Sequence, residues 1–389
     1  MYMIWCLVRP YVMRPYVISA SVLTIYMFAL LLLFGFNVAL PTETVYGLFA
    51  VYWNASAVQG IYNKKGRSMS NPLIVHVSEL HDVYRYDLTR MTKKEEIIFL
   101  LLAKKFWPGA CTFVVRANTD NVISMIRNDS PYVAIRVPDN EVMTWILCIT
   151  GPAVGPSANR SGKISPTKAK HVYNDYYGLS IFMPILRSIN TNKRNKTNKT
   201  KPVKAHGIES TIIQITETDT GDVNIKLLRA GTIGTEQIRD CLTEHTLDLN
   251  YTIDVNIDCV NHNTSVAPGQ EITHYAPDTK TVIGTVIDKK NGKTAVDRKN
   301  AVLVAIKEIV QEYGSKYNKC FVFPSTDEKC ATVLYDIMRD ADSYSKTNQV
   351  STIVICDEGL TVVNEKSGHI AAILDKLIRA SSGLPSVLV

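Results

Sequence analysis

Three stretches concentrate side chains able to hold anions and polar groups. "KKGRSMSN" brings Lys65, Gly66, Arg67, Ser70 and Asn71 together just ahead of an apolar run. Glycine lets the backbone approach a ligand closely, and lysine and arginine supply charge-assisted donors. That combination suits a phosphate, and it equally describes a solvated basic turn. "PSANRSGKISPT" offers Ser157, Asn159, Ser161 and Ser165, which by themselves also describe a turn-rich connection. "LPTETVYGLFA", residues 40–50, places Thr42, Glu43, Thr44 and Tyr46 behind an apolar strand. Glu43 suits a general base or a structural role, with no partner histidine or second carboxylate visible. His76, within "LIVHV", alternates onto one face of a buried strand, the usual setting of a satisfied core histidine. Arg116 and Arg136 end apolar strands, each able to pair with a carboxylate.

The common catalytic signatures are missing: no Walker A loop, G-x-G-x-x-G, G-x-S-x-G or H-E-x-x-H occurs in the chain. What remains is small polar residues and fixed cations. Such a set can align reactants and offset charge without a reactive side chain of its own.

These residues need elements to position them. "FNVAL" reads as the strand that delivers the first loop, and Leu73 to Val77 as the strand after the basic loop. "TKKEEIIFLLLAKKFWPG" reads as a helix, with Thr92 and Glu95 at capping-box spacing and Pro108-Gly109 ending it. "CTFVVRA", "YVAIRVP", "ESTIIQI" and "IKLLRAG" are strands by β-branched content and alternation. Helices and strands interleave with local strand runs, so an α/β domain with a mixed sheet is expected. Beyond Leu247 the chain turns irregular, and "TSVAPGQEITHYAPDTK" reads as a linker. A second, smaller α/β unit follows: strands "TVIGTVI", "CFVFP" and "STIVICDE", a helical or mixed stretch from Ala301, and helices at Lys329 to Asp340 and Gly368 to Arg379.

The 389 residues are enough for two cores. Eight scattered cysteines show no C-x-x-C pair and no Cys/His metal spacing, the pattern of buried reduced thiols, so no metal ligands are assigned. The formal charge is +7. From Tyr176 to Ile208 there is no acidic residue and there are seven cations; without them, 36 of the 43 Lys+Arg remain against 36 Asp+Glu. The charge therefore belongs to that one segment, within which 188–204 is a low-complexity insertion of disordered composition. At the N-terminus, Tyr16 to Leu40 carries no charge and includes "YMFALLLLFGF", preceded by Arg9 and Arg14. Residues 1–35 thus read as an apolar extension with buried elements, or as a membrane or targeting segment spanning 16–35.

In this order, "PTETVYGL", "KKGRSMSNPLIVHV", "FWPGACTFVVR", "VAIRVPD", "PSANRSGKISPT", "ESTII" and "LLRAGTIG" resemble the threonylcarbamoyl-AMP synthase family. Its catalytic part is the YrdC-like domain. "PGQEITHYAP" resembles the linker of the family's longer form, which carries a small Rossmann-like C-terminal domain. The resemblance implies a YrdC-like domain over 36–247 with a mixed twisted sheet and concave active site. It further implies a linker over 248–278 as an active-site cover, and a Rossmann-like domain over 279–389.

The same resemblance implies an enzyme that joins L-threonine, bicarbonate or CO2, and ATP with Mg2+ into threonylcarbamoyl-AMP, releasing pyrophosphate. A downstream threonylcarbamoyl-transferase complex then serves tRNA in the cytoplasm. An RNA-binding module without synthase activity is the alternative. By motif, Thr44, His76, Arg116 and Ser210 fall on the threonine side. Arg67, Asn71, Thr112, Ser157, Ser165, Arg229 and the linker's Tyr275 fall on the nucleotide side. Lys65, Arg67, Ser157 and Asn159 correspond to the family's Lys/Arg/Ser/Asn signature, in which Lys65 and Arg67 offset phosphate charge. The chain departs from the family at Phe49, where a glycine is usual, at Ser68 in place of proline, and at Gly155, where many relatives carry a larger residue.

Overall fold

A computed structural model describes residues 15–179, 181–187, 206–243, 251–254, 274–285, 296–360, 366–382 and 387–388. The basic insertion at 188–204 and most of the linker lie outside the described residues.

The first unit is built on a mixed sheet of eleven strands. In chain order these are β1 (Pro15–Ser19), β2 (Val38–Leu40), β3 (Gly47–Val51), β4 (Ile74–His76), β5 (Cys111–Arg116) and β6 (Tyr132–Arg136). They continue with β7 (Ala153–Val154), β8 (Met183–Arg187), β9 (Thr211–Glu217), β10 (Val223–Arg229) and β11 (Tyr251–Asp254). The spatial order is β1-β8-β2-β3-β7-β4-β6-β5-β9-β10-β11. The sheet therefore runs past 247, because β11 pairs parallel with β10. Helices of eight or more residues are labelled α1 (Val22–Leu33), α2 (Ala55–Lys65), α3 (Lys93–Phe106), α4 (Glu141–Thr150), α5 (Ala169–Tyr176) and α6 (Thr235–Thr243). Thr92 and Glu95 form both bonds of the capping box that starts α3, as their spacing predicts.

The apolar N-terminus is part of this fold. β1 pairs with β8 from Pro15↔Met183 to Ser19↔Arg187. Ser21 and Thr24 cap α1 reciprocally, and its Ile25, Phe28 and Leu32 pack in one cluster with Val142, Met143 and Ile146 of α4. At 1.5 Å per residue, twelve residues span about 18 Å, short of a hydrocarbon core of about 30 Å. Among the described residues no helix is long and apolar enough to cross a membrane. Residues 16–35 divide into a strand and a short helix because the sheet edge and α4 offer apolar surface on which to bury them.

The second unit is a five-stranded sheet, every pairing of which is parallel. Its strands are β12 (Lys280–Thr285), β13 (Ala301–Ile306), β14 (Lys319–Phe323), β15 (Thr352–Ile355) and β16 (Val387–Leu388), ordered β14-β13-β15-β12-β16. β13 is buried at all six positions, as a central parallel strand covered on both faces must be. Helices α7 (Asp327–Thr347) and α8 (His369–Ala380) contribute to its core.

The units meet through α7 and α8. Arg339 of α7 grips Asp175 with two bonds of 2.7 Å, and Lys168 pairs with Asp336. Both members of the Arg339–Asp175 pair are largely buried, and a bidentate fork of this kind also fixes orientation.

Candidate active site

A cavity of about 50 Å3 opens where several strand ends and loops converge, lined by Thr44, Arg67, His76, Arg136, Ser157, Glu209, Arg229, His274 and Tyr275 among others. Each strand delivers its residue by register. β4 and β6 are parallel, so His76 lies opposite Arg136. β5 and β6 are antiparallel with Phe113↔Ile135 and Arg116↔Tyr132, so Arg116 lies at the far end from Arg136.

That register corrects one expectation. Arg116 is not at the cavity: it is 40% exposed and its guanidinium lies 3.5 Å from Glu95. Four residues of strand separate the two ends, roughly 13 Å. Arg136 is the guanidinium beside His76. It is buried, donates to the carboxylate of Glu43 at 2.5 Å and to the carbonyl of Gly109 at 3.2 Å. The other oxygen of Glu43 is buried without a partner. Glu43 is thus the counter-ion of Arg136.

Lys65 is placed differently from a phosphate-binding lysine. Its buried ammonium donates to the carbonyls of Ser157 (2.6 Å) and Asn159. Burial, reinforced by Arg67, holds its pKa well below the usual lysine range. It ties the end of α2 to the serine loop, and Arg160 strengthens the tie by donating to the carbonyl of Lys64 at 2.7 Å. Arg67, just past the Gly66 cap, does line the cavity. Its Nη2 donates to the carbonyl of Pro72 at 3.0 Å and its Nε to that of Asn71 at 3.4 Å, which fixes the guanidinium plane.

Thr112, Ser210 and Arg229 form one chain. Thr112 and Ser210 share a hydroxyl contact of 2.7 Å, and Arg229 donates to the Ser210 hydroxyl and carbonyl, each at 3.0 Å. Of the three, Arg229 lines the cavity. Asn71, Asn159 and Ser165 are buried and do not line the cavity; the amide of Asn159 donates to the carbonyls of Arg160 and Lys163, both at 2.7 Å, shaping its own turn. Asn159 Oδ1 and Ser165 Oγ are buried without partners.

Tyr275 is fully buried with a left-handed backbone, φ 62°. The C-terminal unit holds it. Tyr335 of α7 stacks on its ring at 5.7 Å and donates its hydroxyl to Glu209 at 2.6 Å. Lys376 of α8 lies 5.6 Å from the Tyr275 ring centre and donates to the carbonyl of Ala230 at 3.0 Å. Tyr275 is itself part of the cavity lining. Sequence reasoning missed Glu209, His274, Tyr335 and Lys376. The first two adjoin residues already singled out, within "ESTII" and "HYAP"; the last two carry no local signal, since helical periodicity marks them as ordinary core positions.

His76 and His274 are buried and His171 is half-buried. Burial, with Arg136 nearby, lowers His76 to about 3; burial, with Arg339 nearby, lowers His171 to about 4; burial, then Arg67, puts His274 well below its ordinary value. Unfolded histidines titrate near 6.5. The stability these groups contribute is present above that value and lost as pH falls toward the folded values. A group of this kind costs about 1.4 kcal/mol per pH unit in that window. Urea midpoints should hold steady from pH 8.5 to 7.5 and fall steeply between pH 6 and 5. Equal midpoints at pH 7.5 and 5 would contradict the neutral burial of these rings.

A large mixed sheet with strand-end polar residues around one cavity, and a parallel-sheet unit docked against it, define the two-domain Sua5/YrdC class. Residues 31–196 match the Sua5_yciO_yrdC family, described as telomere recombination. Residues 233–382 match Sua5_C, described as the threonylcarbamoyl-AMP synthase C-terminal domain. The chain belongs to the threonylcarbamoyl-AMP synthase family. It is 31% identical to the threonylcarbamoyl-AMP synthase of Bacillus subtilis, covering 89% of each chain. It is 30% identical to that of Pyrococcus abyssi, covering 89% of this chain and 91% of the relative. The crystal structure of P. abyssi Sua5 complexed with L-threonine superposes with a TM-score of 0.73 at 27% identity, covering 96% of this chain and 99% of that one.

Proposed function

We propose that this protein is an L-threonylcarbamoyladenylate synthase, condensing L-threonine, CO2 or bicarbonate, and ATP to threonylcarbamoyl-AMP and pyrophosphate. The observation that carries this reading is the convergence of Thr44, Arg67, His76, Ser157 and Arg229, from separate stretches of chain, on one cavity. The relative solved with L-threonine supports the amino-acid half.

In this reading the threonine amine loses a proton and attacks CO2, forming an N-carboxylate with release of a second proton. A carbamate oxygen then attacks the α-phosphorus as the bond to pyrophosphate breaks. Thr44 and the neutral imidazole of His76 hold threonine, with Arg136 at its carboxylate in place of Arg116 and Ser210 supporting from behind. Arg67, Ser157 and Arg229 face the phosphates and nucleotide, and Asn71, Thr112, Asn159 and Ser165 support them. Tyr275 excludes water, which protects a short-lived carbamate. Lys65 acts by fixing the loop that carries Ser157. Mg2+ would come with ATP, since it readily takes phosphate oxygens and water.

Purified protein given ATP, Mg2+ and bicarbonate should release pyrophosphate only when L-threonine is added. No threonine-dependent release from folded protein would end this reading. The product's mixed anhydride requires an acceptor, which we assign to a threonylcarbamoyl-transferase complex acting on tRNA in the cytoplasm. The RNA-binding module without synthase activity is not favoured, since the relatives named as synthases match over nine-tenths of their length.

A further inference from the structure

Phe49 stands where the amino-acid end of the cavity meets the core. Alternation along β3 sends Leu48 and Ala50 into one apolar cluster and Phe49 and Val51 into another. Gly47 and Phe49 share the cavity side, and both line it. The Phe49 ring meets the His76 ring edge to face, with centres 4.9 Å apart at 87°. Glycines flank the ring on both sides. A Cβ on Gly47 would lie 2.4 Å from Phe49 Cε2 and 2.6 Å from Cζ. A Cβ on Gly155 would lie 2.6 Å from Phe49 Cδ1 and 2.6 Å from the Leu48 carbonyl oxygen. Neither glycine has the positive φ that would itself demand glycine. At Gly47, only the aromatic ring crowds the missing side chain.

We propose that Phe49 is the specificity-determining residue of the amino-acid end. Its ring, admitted by Gly47 and Gly155, forms the floor beside His76 and limits the substituent on the substrate's β-carbon to about the size of a methyl group. This rests on the synthase reading above. It assigns the limit to a steric wall, since exclusion of larger groups needs no polar contact. A wall of this kind rejects a bulky substituent outright, whereas a roomy apolar pocket separates a single methylene by only about 10–200-fold.

The test exchanges ring for ring. L-threo-3-phenylserine is threonine with its methyl replaced by phenyl. Pyrophosphate release would be followed with L-threonine and with phenylserine in the full-length wild type and in Phe49→Ala. The ratio of kcat/KM for phenylserine to that for threonine should rise at least 100-fold in the variant. In the wild-type background Gly47→Ala should raise KM for threonine at least tenfold, because its methyl displaces the ring. In the Phe49→Ala background the same change should cost less than twofold. The second pair is a double-mutant cycle, and it tests the wall even if Phe49→Ala folds poorly, with Phe49→Leu then serving as the relieved background. An active wild type whose folded Phe49 variants keep the substrate ratio within threefold overturns the proposal, as does additivity of the two substitutions. A wild type inert with threonine instead removes the synthase reading itself.

Discussion

Replacing Glu43 with alanine should lower thermal stability by roughly 10 °C and abolish turnover. Glu43 and Arg136 are an ion pair with side chains 0% and 5% exposed, bonded at 2.5 Å. Taking both charges out of water is costly, and their attraction offsets that cost only while both are present. Removing the carboxylate leaves a buried guanidinium without its counter-charge, at a cost of about 3–5 kcal/mol. At about 2–4 °C per kcal/mol for a unit of 150–250 residues, that is a large shift in Tm. The backbone carbonyl of Glu43, which accepts from His206 at 2.8 Å, survives the substitution, so the loss reports on the charge. Glu43→Gln keeps the shape and loses the charge, and should fall between the two. Replacing both residues with apolar ones of similar volume should recover most of the stability and none of the activity. Calorimetry on the four proteins decides it; a Tm within 2 °C of wild type for Glu43→Ala would mean the pair is not buried as described.

Arg67→Ala is the second large effect, and it is catalytic. The guanidinium lines the cavity and two backbone carbonyls orient it, so it needs no rearrangement as charge develops on the phosphates. Loss of one preoriented donor of this kind costs about 10²–10³ in kcat, or about 2.7–4 kcal/mol. Pyrophosphate release should fall by that factor, with the melting temperature little changed because the side chain's partners are carbonyls at a loop. Arg67→Lys should recover little, since an ammonium cannot reproduce the planar fork. A turnover number within threefold of wild type for Arg67→Ala would remove Arg67 from the phosphate end. Lys65 offers a contrast. Its ammonium is spent on two carbonyls of the serine loop, so any loss in a Lys65 variant reflects a loosened loop.

Much of this molecule is legible locally. The capping box of Thr92 and Glu95, the alternation of "CTFVVR" and "YVAIR", and the turn chemistry around Asn159 are set by neighbours within a few residues, and local pattern finds them. The ordered motifs likewise name the loops that meet at the cavity. Which strand-end arginine arrives there is another matter. Arg116 and Arg136 look alike along the chain, and the antiparallel pairing of β5 with β6 sends one to Glu95 and the other to Glu43. Alternation reports the face a side chain takes and is silent on which end of a neighbouring strand lies beside it. The apolar N-terminus was ambiguous for a related reason: hydropathy cannot tell lipid from a sheet edge and α4. Tyr335 and Lys376 reach Tyr275 from more than fifty residues further along the chain through the docking of the second unit, a contact made by surface fit, for which no local stretch of chain carries a mark.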